Sequence, residues 1–170
     1  MKNYFSIYVF LIFSIYSFSQ NTLKLDEKNG FKDFHLGDNI LKYSGQISLL
    51  NADINSYKYT GSCCKDVFGN SIEGIVLYFT KNQLDRITII MPEGQGDKVS
   101  NSKPNYLDSN FILMFGEYSG ASADDETGDL ITQWRGNKVI LTIEYIYKGY
   151  ETGWQAVIIV ESMDLINSGF

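Results

Sequence analysis

The chain has 170 residues with 14 basic and 20 acidic side chains, which gives a formal net charge of −6 at pH 7. This acidic balance argues against a nucleic-acid partner, because binding to phosphates requires a basic surface. The length is typical of one domain, and the abundance of Asn, Ile, Lys, Tyr and Phe indicates AT-rich codon usage in a bacterium.

The N-terminus has the layout of a secretory signal peptide over residues 1–19. Lys2 precedes an apolar run at 4–16, and the small residues Ser17 and Ser19 precede the expected cleavage point. The alternative is a membrane anchor, but the run is shorter than the roughly 20 apolar residues that cross a bilayer. We therefore expect a secreted or periplasmic protein with no stable membrane anchor after cleavage.

The mature chain, residues 20–170, is expected to form a single α+β domain. A short, weak helix is predicted near 38–47, with a capping residue at its start. Strand patterns follow at 57–60, 74–80 and 84–91, and the last two are close enough to form a hairpin.

A segment rich in Gly, Pro, Ser and Asn at 92–103 divides the mature chain into two parts. A second helix is predicted directly after it, with an apolar stripe made of Leu107, Phe111 and Met114. Gly116 is expected to end this helix.

Further strands are predicted at 130–134, 138–145 and 154–161, where apolar residues alternate or form a short run. The predicted fold is an antiparallel sheet with two short helices on one face. Since each part contains one helix followed by three strands, residues 31–91 and 102–163 are read as two αβββ repeats, with an unduplicated domain as the alternative.

Local sequence echoes support this duplication, such as FGNSIEGIVLYF in the first part against RGNKVILTIEY in the second. In its element order the chain resembles small secreted modules of the β-lactamase-inhibitor-protein type and of the outer-membrane-assembly-lipoprotein type. It differs from the latter in lacking a lipid-bearing Cys. The resemblance implies a binding or assembly role and transfers no catalytic residues.

Two adjacent cysteines, Cys63 and Cys64, lie in a loop with Lys65 beside them. Neighbouring residues close no useful loop, so these thiols cannot staple the fold. The two cysteines are interpreted either as part of an ordinary turn or as a redox-active or ligand-binding pair. His35, the single His, is expected to be a half-buried structural residue, because the chain lacks a nucleophile motif for a catalytic triad and the usual spaced set of His and Cys ligands for a zinc site.

The densest acidic cluster is a candidate metal site. It comprises Asp124, Asp125, Glu126 and Asp129. Carboxylate oxygens suit hard cations such as calcium, although the spacing is not that of a calcium-binding loop. The alternative is a solvated acidic loop.

An aromatic cluster near the C-terminus is a candidate recognition patch for a protein or carbohydrate partner. It comprises Tyr147, Lys148, Tyr150 and Trp154 beside two glycines. Tyr and Trp anchor many interfaces, so we expect Tyr150 and Trp154 to be exposed. The alternative is ordinary packing of the sheet.

Together these observations favour a non-enzymatic binding or interaction module. No residue is assigned as catalytic, and no cofactor is expected. The alternatives are a small hydrolase that depends on carboxylates or a metal, and a structural component of the cell envelope.

We predict that the secreted protein begins at Gln20, because Ser17 and Ser19 occupy the small-residue positions before the cleavage point. Intact-mass measurement of the exported protein checks this. A protein that retains Met1 and fractionates with membranes would contradict the prediction.

Overall fold

The computed structural model describes residues 23–95 and 103–164. The predicted signal peptide at 1–19 and most of the predicted break at 92–103 lie outside these ranges. Within them, no helix is long and apolar enough to span a membrane.

Strands of two to nine residues and a few helical segments make up most of the described ranges. The strands are β1 (Gly30–Phe31), β2 (Phe34–His35), β3 (Ile47–Asn51), β4 (Ser56–Tyr59), β5 (Asp66–Val67), β6 (Asn70–Ser71), β7 (Gly74–Thr80), β8 (Gln83–Ile90), β9 (Gly120–Ala123), β10 (Leu130–Arg135), β11 (Val139–Tyr147) and β12 (Trp154–Ser162). A 3-10 helix spans Ile40–Tyr43, helix α1 spans Asn105–Phe115, and residues 23–28 are also helical.

One antiparallel sheet of eight strands organises the domain, in the order β3-β4-β7-β8-β12-β11-β10-β9. The first four strands precede the predicted break and the last four follow it. The two sets meet where β8 pairs with β12. The predicted α+β class with an antiparallel sheet is therefore confirmed, and the small ladders β1-β2 and β5-β6 stand outside this sheet.

Each part contributes four strands to the sheet, whereas three were predicted. The additional strands are β3 and β9, which form the two edges. β9 contains no large apolar residue, and in β3 the adjacent Leu49 and Leu50 interrupt the alternation, so neither shows the pattern by which a half-buried strand is recognised. The first helix is also shorter than predicted, since Gly45 adopts a φ of 75° and Ile47 begins β3.

The core covers one face of the sheet. Alternate residues of the four central strands form a single apolar cluster with both helices and residue Leu25. The opposite face, called the open face here, presents the intervening residues, which include Val76, Ile90, Ile131, Ile140, Glu144, Val157 and Ile159. Although Val76 and Ile140 are buried, neither belongs to the core cluster.

Helix α1 packs on the core through Leu107, Phe111 and Phe115. Met114, which was predicted to share this stripe, lies at the edge of the contact and is 38 % exposed. Gly116 ends the helix as predicted with a φ of 81°. The indole N–H of Trp134 donates to the Gly116 carbonyl over 2.8 Å, which anchors the end of the helix to β10.

Trp154 lies in the core, so the prediction that it is exposed is wrong. The residue starts β12 on the same face as Ala156 and Ile158 and is 7 % exposed. Its ring lies 5.1 Å from the ring of Tyr147, the residue opposite it on β11. The period of two along β12 determines this inward orientation.

We predict that Trp154→Ala lowers the free energy of unfolding by about 3 to 5 kcal/mol, because it empties a packed position. Tyr150→Ala is the matched control, since Tyr150 is 73 % exposed, and its effect should stay within about 0.5 kcal/mol. Urea unfolding of both variants checks this. Equal effects of the two substitutions would contradict the assignment of Trp154 to the core.

Candidate functional site

An apolar cavity of about 170 Å³ lies between α1, the β5-β6 hairpin and the core face of the sheet. Its floor is formed by residues of the central strands, namely Ile89, Leu141, Ile158 and Val160. Its other walls are Gly30, Phe31, Val67, Phe68, Phe111, Met114 and Phe115, with Lys28 and Lys32. The cavity therefore lies above the line where the two parts of the sheet meet.

Aromatic contacts close the cavity on one side. The ring of Phe68, from the turn between β5 and β6, lies edge-on to Phe111 at a centroid distance of 4.9 Å. Phe111 in turn stacks with Phe115 one helical turn further on. Phe68 is 37 % exposed and adopts a φ of 51°, so the hairpin holds an apolar ring at the boundary between cavity and solvent.

Two lysines give the cavity a basic character. The ammonium of Lys32 lies 2.7 Å from a carboxylate oxygen of Asp66 and 5.7 Å from the ring centroid of Phe31. The hydrogen bond from Lys32, with a second one from the Gly69 backbone N–H, lowers the pKa of Asp66. Lys28 is exposed, so its charge is available to the solvent side of the cavity.

This arrangement suits an amphiphile with an apolar body and an anionic end. The described residues that line the cavity include no carboxylate, imidazole, hydroxyl or thiol. Such walls can bind and desolvate a ligand, and the only titratable groups among the described lining residues are the two lysines.

The adjacent cysteines form a separate site at the side of the first four strands. Cys63 and Cys64 are joined by a disulfide, and both pack against the core. One oxygen of Asp33 lies 3.8 Å from Sγ of Cys64. The nearby His35 is exposed, with Nδ1 3.9 Å from a carboxylate oxygen of Asp38, so it is not the half-buried residue that was expected.

The acidic candidates lie in the mostly exposed loop between β9 and β10, where two of the carboxylates accept hydrogen bonds from backbone N–H groups. Asp124 accepts hydrogen bonds from the N–H groups of Thr127 and Glu126, and these bonds lower its pKa. Asp129 accepts one from the N–H of Tyr147 at 3.0 Å. These contacts favour the solvated-loop interpretation over the metal site.

The candidate recognition patch is divided by the structure. Tyr150 and Lys148 are exposed and Tyr147 is partly exposed, while Trp154 lies beneath them in the core. One exposed tyrosine and one exposed lysine remain as contact residues of this patch.

The open face carries a carboxyl group between apolar neighbours. Glu144 lies opposite Val157 on β12 and Ile131 on β10. Burial raises the pKa of Glu144, and the nearby carboxylates of Asp129 and Glu161 raise it further. This face is thus less favourable to a negative charge than an ordinary solvent-exposed strand.

Comparison of the chain with protein-family models, curated proteins and solved structures finds no match. Function is therefore inferred from the chemistry of the sites themselves. The sequence reasoning missed the cavity because its walls come from segments far apart in the chain. Two wall residues of the cavity carried a local signal in the sequence. Phe111 was predicted to lie on the apolar stripe of the helix, whereas Phe68, in a Gly-containing turn, was not predicted as a site residue.

We predict that Glu144→Gln raises the urea midpoint of unfolding at pH 7. The pKa of Glu144 is higher in the folded state than in the unfolded state. Ionisation of Glu144 therefore lowers the free energy of unfolding as the pH rises from the unfolded-state pKa through the folded-state pKa. Below the ordinary Glu pKa of about 4.3, wild-type Glu144 is protonated in both states, so the advantage of the variant should disappear.

Urea unfolding at pH 7 and near pH 4 checks this prediction, with Glu117→Gln, an exposed carboxylate outside the sheet, as the matched control. A gain that is the same at both pH values would show that the effect does not come from ionisation.

Proposed function

We propose that this chain is a non-enzymatic binding module that holds a small amphiphile in the cavity beneath α1. The observation that carries the proposal is an apolar pocket of about 170 Å³, open to solvent on one side and lined by aromatic and aliphatic side chains together with two lysines. An apolar cavity of about 150 Å³ in another protein binds benzene, so this space suits an apolar group of about six carbons.

The basic wall favours a ligand whose polar end is a carboxylate or another anion. Lys32 is already paired with Asp66, so Lys28 is the cation that an anionic end would meet. The apolar part supplies most of the affinity, at about 0.8 kcal/mol for each buried CH₂ group. For the alkyl chain of hexanoate this amounts to about 4 kcal/mol, which corresponds to a Kd of about 1 mM.

Binding has more support than catalysis because the described residues around the cavity include no carboxylate, imidazole, hydroxyl or thiol, and Lys32, one of the two amines, is ion-paired with Asp66. The alternative of a carboxylate-dependent or metal-dependent hydrolase would need such groups next to the ligand. A protein or carbohydrate partner at Tyr147, Lys148 and Tyr150 has less support, since Trp154 is not available to it.

The strand order supports a duplicated origin for the site. The two proposed repeats, residues 31–91 and 102–163, supply four strands each and meet at β8 and β12, directly below the cavity. In this proposal the junction between the two αβββ-like halves became a ligand site. The protein is exported with the help of residues 1–19. The modules that the chain resembles in element order would share this general plan.

We predict that hexanoate binds with a Kd near 1 mM and shifts the methyl resonances of Ile158 and Val160 in an NMR titration. Met114→Trp, at the edge of the cavity, should weaken binding at least about 10-fold by occupying the space. The matched control is Leu113→Trp, because Leu113 is the preceding helix residue and is 83 % exposed outside the cavity.

The role of the charge is tested separately with Lys28→Gln, which should weaken hexanoate binding and leave the binding of neutral 1-hexanol unchanged. Lys24→Gln, on the same helical segment but away from the cavity, is the control. Absence of hexanoate binding, or equal binding by Met114→Trp and wild type, would refute the proposed site.

A further inference from the structure

A second site joins the loop after β4 to the turn between β1 and β2. There the Cys63–Cys64 disulfide lies beside the carboxylate of Asp33. The three potential ligand atoms of these residues all lie within 4.8 Å of one another. In the described ranges this is the one group of three or more Asp, Glu, His or Cys side chains that comes so close together.

The core holds this cluster in place. The hydroxyl of Tyr59 lies 3.2 Å from Sγ of Cys63 and also donates to Oε1 of Gln46 at 3.0 Å. The Tyr59 ring packs edge-on against Phe34 at a centroid distance of 4.9 Å, and Phe34 is fully buried. The sulfur atoms are thus positioned by ordered neighbours instead of lying on a free loop.

We propose that Cys63, Cys64 and Asp33 bind a thiophilic divalent cation, of the zinc and cadmium class, when the disulfide is reduced. Thiolate sulfur is the ligand that such ions prefer, and a carboxylate oxygen is a common third ligand. Two sulfurs bound to one tetrahedral zinc at about 2.3 Å lie about 3.8 Å apart, which is within reach of adjacent side chains.

The fourth coordination position would face an adjoining pocket of about 200 Å³. Its polar lining includes Lys42, Gln46 and Ser62 together with Asp33. Three protein ligands and one open position form the arrangement that lets a bound metal accept water or an exogenous ligand.

Oxidation and reduction control access to the site. A dithiol reductant transfers two electrons and two protons to the disulfide, so the S–S bond breaks, two thiols form, and the dithiol becomes a cyclic disulfide. Binding of the cation then releases the two thiol protons as two metal–sulfur bonds form. The oxidised form lacks both thiolates and cannot bind the ion in this way. None of the three ligand residues lines the cavity beneath α1.

The test is a Cd²⁺ titration of the purified protein, followed by thiolate-to-cadmium charge-transfer absorption. After reduction with dithiothreitol and anaerobic desalting, wild type should bind one Cd²⁺ per chain, and the oxidised protein should show no charge-transfer band. Asp33→Asn should weaken binding by about 10- to 100-fold, on the scale of losses around metal sites. Asp53→Asn, an exposed carboxylate in the β3-β4 turn, is the matched control and should bind like wild type.

Cys64→Ser leaves one thiolate, so it should bind Cd²⁺ at least about 10-fold more weakly and reduce the charge-transfer absorption to that of the remaining Cys63, while circular dichroism shows an intact fold. If this variant does not fold, wild type alkylated at both reduced thiols with iodoacetamide takes its place, and loss of Cd²⁺ binding is expected. The proposal is overturned if reduced wild type shows no charge-transfer band, if alkylated protein binds Cd²⁺ as well as reduced protein, or if Asp33→Asn binds like wild type.

Discussion

The pairing of β8 with β12 is the constraint on which the rest of the structure depends. It is the ladder that joins the two four-stranded parts into one sheet. On the core face it sets Ile89 against Ile158, and on the open face it ends in the ion pair between Arg86 and Glu161 at 3.0 Å. Without this ladder each part would expose a central strand edge and half of the core, and an unpaired edge of that kind favours aggregation.

A second link holds the two parts together at the end of the sheet. The carboxylate of Asp26 accepts three hydrogen bonds of 2.9 to 3.1 Å from the backbone N–H groups of Asn137, Lys138 and Val139. Gly136 allows this approach, since a Cβ at that position would lie 2.2 Å from the carboxylate. The helical segment 23–28 is thereby fastened to the β10-β11 turn, and Lys28 is held near the cavity.

The same architecture explains why the two candidate sites are separate. The cavity lies over the junction of the parts, where α1 and the β5-β6 hairpin approach each other without filling the space between them. The cysteine site lies beside the 3-10 helix and β4, and it is built from residues of the first part alone. No residue lines both sites, but they adjoin at the β1-β2 turn, where Lys32 of the cavity wall directly precedes Asp33 of the cysteine site.

The sequence by itself determined the elements whose signals are local. The strands at 74–80 and 139–147 were predictable from apolar alternation, and the end of α1 from Gly116, because such patterns depend on near neighbours. Tertiary structure alone decided the edge strands β3 and β9 and the walls of both sites. These features depend on pairings between residues far apart in the chain, and a local pattern cannot specify which distant strand or loop will be its partner.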